Sequence, residues 1–92
     1  MKDCKIAFIG GGNMARSLIG GLLADGFPSQ HIHVADPNAG HLENLQAAHS
    51  IQTYTDNIAA IKDCKVVILA VKPQQLQAVV KDLAPHWQND TL

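Results

Sequence analysis

The residues best suited to chemistry begin at Gly10. Gly10-Gly11-Gly12-Asn13-Met14-Ala15 has the spacing G-x-G-x-x-[GA] and lies between an apolar run and a stretch of helical periodicity. A loop that leads in this way from a strand into a helix suits a dinucleotide. The first glycine permits a tight turn, Gly12 lets the backbone approach a pyrophosphate with no side chain in the way, and Ala15 lets the helix pack closely on the strand. Backbone N–H groups of the first helical turn then face the phosphates, where the helix dipole favours negative charge. Glycines also build ordinary turns, so the flanking strand and helix give the pattern its meaning.

Three further positions could read a ligand. Asp36 closes the second apolar run, slightly beyond the usual offset of about 20 residues from the glycines. A carboxylate there accepts hydrogen bonds from both ribose hydroxyls and repels a 2'-phosphate, which favours NAD over NADP; Asp36 before Pro37 is equally a helix-start cap. Lys72 and Pro73 follow the strongest strand signal, on the sheet edge where ligands of open α/β folds bind. Lys72 also reads as a solvated loop charge, and Asn57 as an ordinary helix-start residue.

The elements that must position these residues follow from periodicity. Lys5 to Ile9 predicts a buried parallel strand, and Met14, Leu18, Leu22 with Ala15, Ile19, Leu23 predict a helix stopped by Gly26 and Pro28. Gly20 and Gly21 inside it should cost roughly 1 kcal/mol each relative to Ala, with close packing against a neighbouring backbone as the expected compensation. His31 to Ala35 predicts the second strand, and Asp36-Pro37-Asn38 starts a helix carrying Leu42, Leu45 and Ala48 on one side. Ile51 to Tyr54 predicts a third strand, Thr55-Asp56-Asn57 cap a brief helix through Ile61, and Lys65 to Val71 predict a fourth strand ended by Pro73. A narrow apolar stripe, Leu76, Val79, Val80 and Leu83, predicts a last helix over 74–83 that Pro85 stops. Four strands alternating with four helices imply an α/β fold with a doubly wound parallel sheet and right-handed crossovers. Asn89 to Leu92 stop where a further strand is expected, so the sheet reads as truncated after about four strands.

Composition narrows the function. With 92 residues there is room for one core, and 47% apolar against 16% charged residues fits a packed domain rather than a disordered one. A net charge of -1 without a basic run argues against nucleic acid. The longest apolar runs fall far short of the roughly 20 residues a bilayer requires, and Met1 to Lys5 leave no space for a signal peptide, so a cytoplasmic location is expected. Cys4 and Cys64 are far apart and read as reduced thiols. His31 and His33 would share a face on a strand, but no cysteine or carboxylate cluster completes a metal site, and the histidines read as solvated positions.

Phe8-Ile9-Gly10-Gly11-Gly12-Asn13-Met14-Ala15, then Ile19-Gly20-Gly21-Leu22, then Ala70-Val71-Lys72-Pro73-Gln74 resemble pyrroline-5-carboxylate reductase over the whole chain. G-x-G-N-M-A combined with A-V-K-P is considerably more specific than the glycine pattern, which many reductases share. The resemblance implies a Rossmann-like NAD(P)-binding domain over residues 1–92 of an enzyme that reduces 1-pyrroline-5-carboxylate to L-proline with NADPH or NADH. It also implies that Ile9, Gly10, Gly11, Gly12, Asn13 and Met14 hold the pyrophosphate, that Asp36 and Asn57 lie near the adenosine ribose, and that Ala70, Val71, Lys72 and Pro73 border the nicotinamide. Hydride transfer to an electrophilic iminium demands mostly alignment and exclusion of water, so no acid-base pair is required in this domain and no catalytic residue is assigned. Many relatives place a small polar or basic residue at the position of Asp36, which leaves the NADH or NADPH preference open and dual use plausible. The family's helical C-terminal domain, which forms the dimer and holds the substrate, is missing from the chain, which alone should not turn over substrate; the resemblance implies a homo-oligomer. Two other readings are a related reductase, of β-hydroxyacid dehydrogenase or imine reductase type, and a non-catalytic nucleotide-binding module.

Overall fold

A computed structural model describes residues 4–87. Asn89 to Leu92, where a further strand was expected to begin, lie outside them. Strands β1 (Ile6–Ile9), β2 (Ile32–Ala35), β3 (Gln52–Tyr54) and β4 (Val66–Leu69) alternate with helices α1 (Asn13–Ala24), α2 (Ala39–Ala48), α3 (Asn57–Ile61) and α4 (Pro73–Leu83). They form one sheet in the order β3-β2-β1-β4, every pair parallel, in register Ile6 with Ile32 and Val66, and His33 with Gln52. The expected doubly wound α/β class is therefore observed.

Side chains alternate across the pleat, so the central strands feed two cores. Ile6, Phe8, Ile32 and Val34 pack with Ala15 and Ile19 of α1 and Leu42 and Leu45 of α2. Ala7, Ile9 and Ala35 face Ala60, Ile61, Cys64 and Leu83, on the side of α3 and α4. Burial on both faces explains why these strands read as continuous apolar runs.

The element ends differ from the expectations by a residue or two, for physical reasons. β4 covers four residues rather than seven because its one partner among the described residues, β1, is itself four residues long; the ladder ends with the Ala70 N–H donating to the Ile9 carbonyl at 2.8 Å. His31 belongs to a short 3-10 turn, Ser29–His31, and not to β2. α4 starts at Pro73 itself, which suits a first helical position whose N–H needs no partner. At the other end of α1, the Gly26 N–H donates to the Leu23 carbonyl and the Phe27 N–H to that of Leu22, and Gly26 sits at φ +90°, which makes a Schellman stop with Phe27 buried beside it. Ala48, Leu76 and Val80 were expected on buried helix faces and are exposed.

The expected compensation for the glycines of α1 is absent. A Cβ at Gly20 or Gly21 would meet no atom within 4 Å, so no close backbone approach requires either residue among those described. Gly21→Ala is accordingly expected to raise the unfolding free energy by about 0.5–1 kcal/mol, because the chain loses less backbone entropy on folding. Urea melts of the two proteins would check this, and a loss of stability would mean that Gly21 makes a contact requiring the absent Cβ.

His33 is not a solvated position. It is 6% exposed, its Nδ1 lies 2.9 Å from the Ala60 carbonyl, and its ring stacks on Tyr54 at 5.3 Å between centroids. A carbonyl only accepts, so Nδ1 carries the ring proton. Burial holds the ring's pKa below its ordinary value, with the Ala60 hydrogen bond opposing and nearby Lys5 adding to the depression. The unfolded chain therefore binds a proton that the folded one refuses. This contribution to stability is complete above about pH 6.5 and is lost as pH falls from there towards the depressed folded value, with a limiting slope of about 1.4 kcal/mol per pH unit. Urea midpoints at pH 7.5 and 5.5 should differ in this direction, and His33→Phe should flatten the difference. The adjoining Cys64 thiol, buried and 3.3 Å from the same carbonyl, is pushed up to about 11 by its burial, so it stays protonated in the core at neutral pH.

Candidate nucleotide-binding site

The parallel strands place every βα turn at one edge, and the sequence-predicted residues meet there. β1 leaves the sheet at Gly10, whose N–H donates to the Ala35 carbonyl at 2.7 Å and whose φ of +108° is a conformation that residues with a Cβ rarely adopt. A Cβ on Gly10 would stand 2.4 Å from the Ala70 carbonyl oxygen, so the turn after β1 passes directly against the turn after β4. Gly11 is buried, with the side chains of Leu45, Asp36 and Val34 3.2–3.4 Å from the place of its missing Cβ. Gly12 is the N-cap of α1, in extended backbone, and a Cβ there would have no atom within 4 Å.

These three glycines divide the work. Gly10 and Gly11 let the chain pass through crowded space, and Gly12 opens towards solvent at a helix N-terminus whose first N–H groups no side chain caps. Beside it lies a cavity of about 240 Å³ lined by Gly11, Gly12, Asn13, Arg16, His41 and Asn44. An adjoining cavity of about 370 Å³ is bordered by Asn13, Arg16, Ser17 and His49. An open glycine, uncapped helical N–H groups and an adjacent arginine fit a phosphate-bearing ligand.

Asp36 resolves one of the two readings left open. The N-cap of α2 is Asn38, which accepts from the Gly40 and His41 N–H groups, so Asp36 is not that cap. Its carboxylate turns back onto the glycine loop instead. Oδ2 accepts from the Gly11 N–H at 2.7 Å and lies 3.0 Å from His41 Nδ1, while Oδ1 accepts from the Asn38 N–H at 2.8 Å. Burial alone would raise the carboxyl's pKa, but the hydrogen bonds from His41, Asn38 and Gly11 outweigh it and hold it below the ordinary value.

The remaining predicted positions spread along the same edge. Asn57 is the first residue of α3 behind its cap Asp56, three residues past the end of β3. Ala70 and Val71 pack against Gly10, and Val71 Cγ1 lies 3.4 Å from the place of its missing Cβ. Lys72 is the exposed N-cap of α4 and Pro73 follows it into the helix. Met14 is exposed at the start of α1. Sequence reasoning missed Arg16, His41 and Asn44. Arg16 is one turn beyond Gly12 on the same helix and His41 five residues past Asp36, but only the packing of α1 beside α2 brings them to one cavity.

A glycine turn from β1 into α1, on the carboxyl edge of a parallel sheet with helices on both faces, defines a Rossmann-type nucleotide-binding domain. The chain belongs to the family described as NADP oxidoreductase coenzyme F420-dependent, which it matches over residues 5–92. It is 46% identical over all 92 residues to a pyrroline-5-carboxylate reductase of Pseudomonas aeruginosa, covering 34% of that protein, and 44% identical to one of Haemophilus influenzae, again covering 34%. A solved pyrroline-5-carboxylate reductase from Coxiella burnetii superposes on 94% of the chain with a TM-score of 0.90 and 35% identity, the match covering 32% of that chain. The resemblance read from the glycine and A-V-K-P motifs is thus borne out. The chain spans about a third of the length of these relatives.

Proposed function

We propose that this chain is the dinucleotide-binding domain, residues 1–92, of an NAD(P)H-dependent enzyme that reduces 1-pyrroline-5-carboxylate to L-proline. The observation that carries the reading is the open Gly12 at the uncapped start of α1, which follows Gly10, packed on the Ala70 carbonyl, and Gly11, bonded to the Asp36 carboxylate. Ile9, Gly10, Gly11, Gly12, Asn13 and Met14 hold the pyrophosphate, with backbone N–H groups as donors. Asp36 and Asn57 border the adenosine ribose. Ala70, Val71, Lys72 and Pro73, beside Gly10, border the nicotinamide. The reduced nicotinamide supplies the hydride when bound. What these residues contribute is alignment: they hold one face of the cofactor against a packed apolar edge and leave the other towards the substrate.

The whole enzyme is a cytoplasmic homo-oligomer. Among the described residues, no helix is long and apolar enough to cross a membrane. Substrate contacts and the oligomer interface belong to the part of the relatives that lies beyond this chain's match.

Calorimetric titration of the chain with NADH and NADPH tests the nucleotide reading. A dissociation constant below about 1 mM for either one, a binding free energy beyond about -4.1 kcal/mol, is the expected result. A chain that keeps its circular dichroism spectrum and binds neither cofactor would sink it.

A further inference from the structure

Two features of α1 have no account within the chain. Met14 and Leu18 are 59% and 44% exposed, and Gly20 and Gly21 lower the helix propensity although a Cβ at either would meet no atom within 4 Å. Single exposed apolar side chains are ordinary on a protein surface, but these lie together. Met14 and Leu18 are each two residues from Arg16, about 200° round the helix. Arg16 faces α2, with whose His41 and Asn44 it lines one cavity. The two apolar side chains therefore stand on the flank of α1 turned away from α2, and Gly21, three residues after Leu18, continues that flank.

α2 packs against β3 at one edge of the sheet, and β4 is the other edge. Turned away from α2 is thus turned towards β4. Among the described residues only α1 and α2 supply helix to this face, because α3 and Leu83 of α4 pack on the opposite one. Val66, Ile68 and Ala70, which point to the α1 side of β4, are left half-buried. They form the floor, and Met14, Leu18 and Gly21 the wall, of an open apolar step between α1 and the sheet edge. Parallel sheets are covered by helices on both faces, so the element that fits the step is a second helix beside α1. Packed helices lie about 8–10 Å apart according to the side chains between them, and Gly21 leaves none to clear.

The chain spans about a third of its relatives' length, and the rest of such a protein supplies the occupant. A segment carried on the same polypeptide acts at an effective concentration of roughly millimolar, which a second copy of this chain would have to match. We propose that the step is the docking site for an amphipathic helix from the part of the whole protein outside residues 1–92, crossing α1 at Gly21 with its apolar stripe on Leu18 and Ile68. Met14 and Ala70, at the upper end of the step, are residues that the nucleotide reading above places against the cofactor. On that reading, the docked helix also shields the cofactor from water.

The test joins this chain to the part of the Pseudomonas aeruginosa relative outside the match and compares the chimaera with the chain alone. Leu18→Cys reports coverage through its rate of alkylation by N-ethylmaleimide, followed peptide by peptide in a mass spectrometer, with Glu43→Cys on the exposed side of α2 as control. Leu18→Cys should react at least about tenfold more slowly in the chimaera than in the chain, and Glu43→Cys equally in both. Gly21→Leu should leave the urea midpoint of the chain no lower, since its side chain enters open space, yet lower the thermal midpoint of the chimaera by at least about 3 °C. Equal Leu18→Cys rates in chain and chimaera, or a chimaera indifferent to Gly21→Leu, would overturn the proposal. So would protection of Leu18→Cys that grows with concentration in the chain alone, which would give the face to a second copy. Calorimetric binding of NADH and NADPH by the chain reports the nucleotide reading separately, and its failure would leave the docking result standing.

Discussion

Gly12→Asp should fold as well as the parent chain and bind NADH and NADPH about 100-fold more weakly, a loss of about 2.7 kcal/mol. The two halves of the expectation have separate causes. Gly12 is the N-cap of α1 with φ -79° and ψ -163°, an extended conformation open to any residue, and a Cβ there would meet nothing within 4 Å. Aspartate is among the preferred N-cap residues because its side chain can accept from the uncapped N–H groups of the first turn, so stability should hold or rise by up to about 1 kcal/mol. The same side chain stands where a pyrophosphate must lie. It removes the donors the phosphates would use and adds a negative charge where the helix end favours the ligand's. Urea denaturation and calorimetric titration on one preparation would read both halves. Unchanged cofactor affinity in a folded variant would show that the loop does not hold the phosphates, and the nucleotide reading would fail with it.

How far the sequence could reach this site depended on whether the signal was local. The glycine spacing, the strand before it and the helix after it are contiguous, and the structure places them together. The two-core sheet was legible for a similar reason: apolar runs at β1 and β2 with helical spacing between them leave few topologies once crossovers must be right-handed. Asp36 was ambiguous because both of its readings were local, ribose acceptor or helix cap. What it does is only partly local, since its shortest hydrogen bond, at 2.7 Å, comes from Gly11, 25 residues away. His33 misled because an H-x-H pair on a strand suggests a shared face, whereas only the second residue belongs to β2, and its ring is buried beneath the Ala60 carbonyl of α3. The exposed Leu76 and Val80 show the complementary limit. An amphipathic stripe reports that a helix has an apolar side, but which residues are covered depends on what packs there.

The largest loss of stability is expected at the neighbouring glycine. Gly10→Ala should destabilise the chain by about 2–6 kcal/mol, of which about 1–3 kcal/mol reflects the strained φ and about 1–3 kcal/mol the overpacking. At φ +108° any L side chain is strained, and the new Cβ would stand 2.4 Å from the Ala70 carbonyl oxygen. That oxygen is backbone, so it cannot swing aside as a side chain could. Moving it pulls on the Ala70 N–H, which closes the β1–β4 ladder on the Ile9 carbonyl, while moving Gly10 breaks its own bond to the Ala35 carbonyl on β2. The clash is therefore shared by three strands. Against a total stability of about 5–15 kcal/mol for a small domain, a loss of this size shifts a large share of the chain towards the unfolded state. Urea or thermal melts of Gly10→Ala beside Gly12→Asp give the contrast directly. Gly10 should fail in stability and Gly12 in binding, because one glycine is required by the protein's own backbone and the other by the ligand's. A Gly10→Ala chain with an unchanged midpoint would mean that the turn relaxes without resistance, and the close crossing of the β1 and β4 exits would then not be what makes this position a glycine.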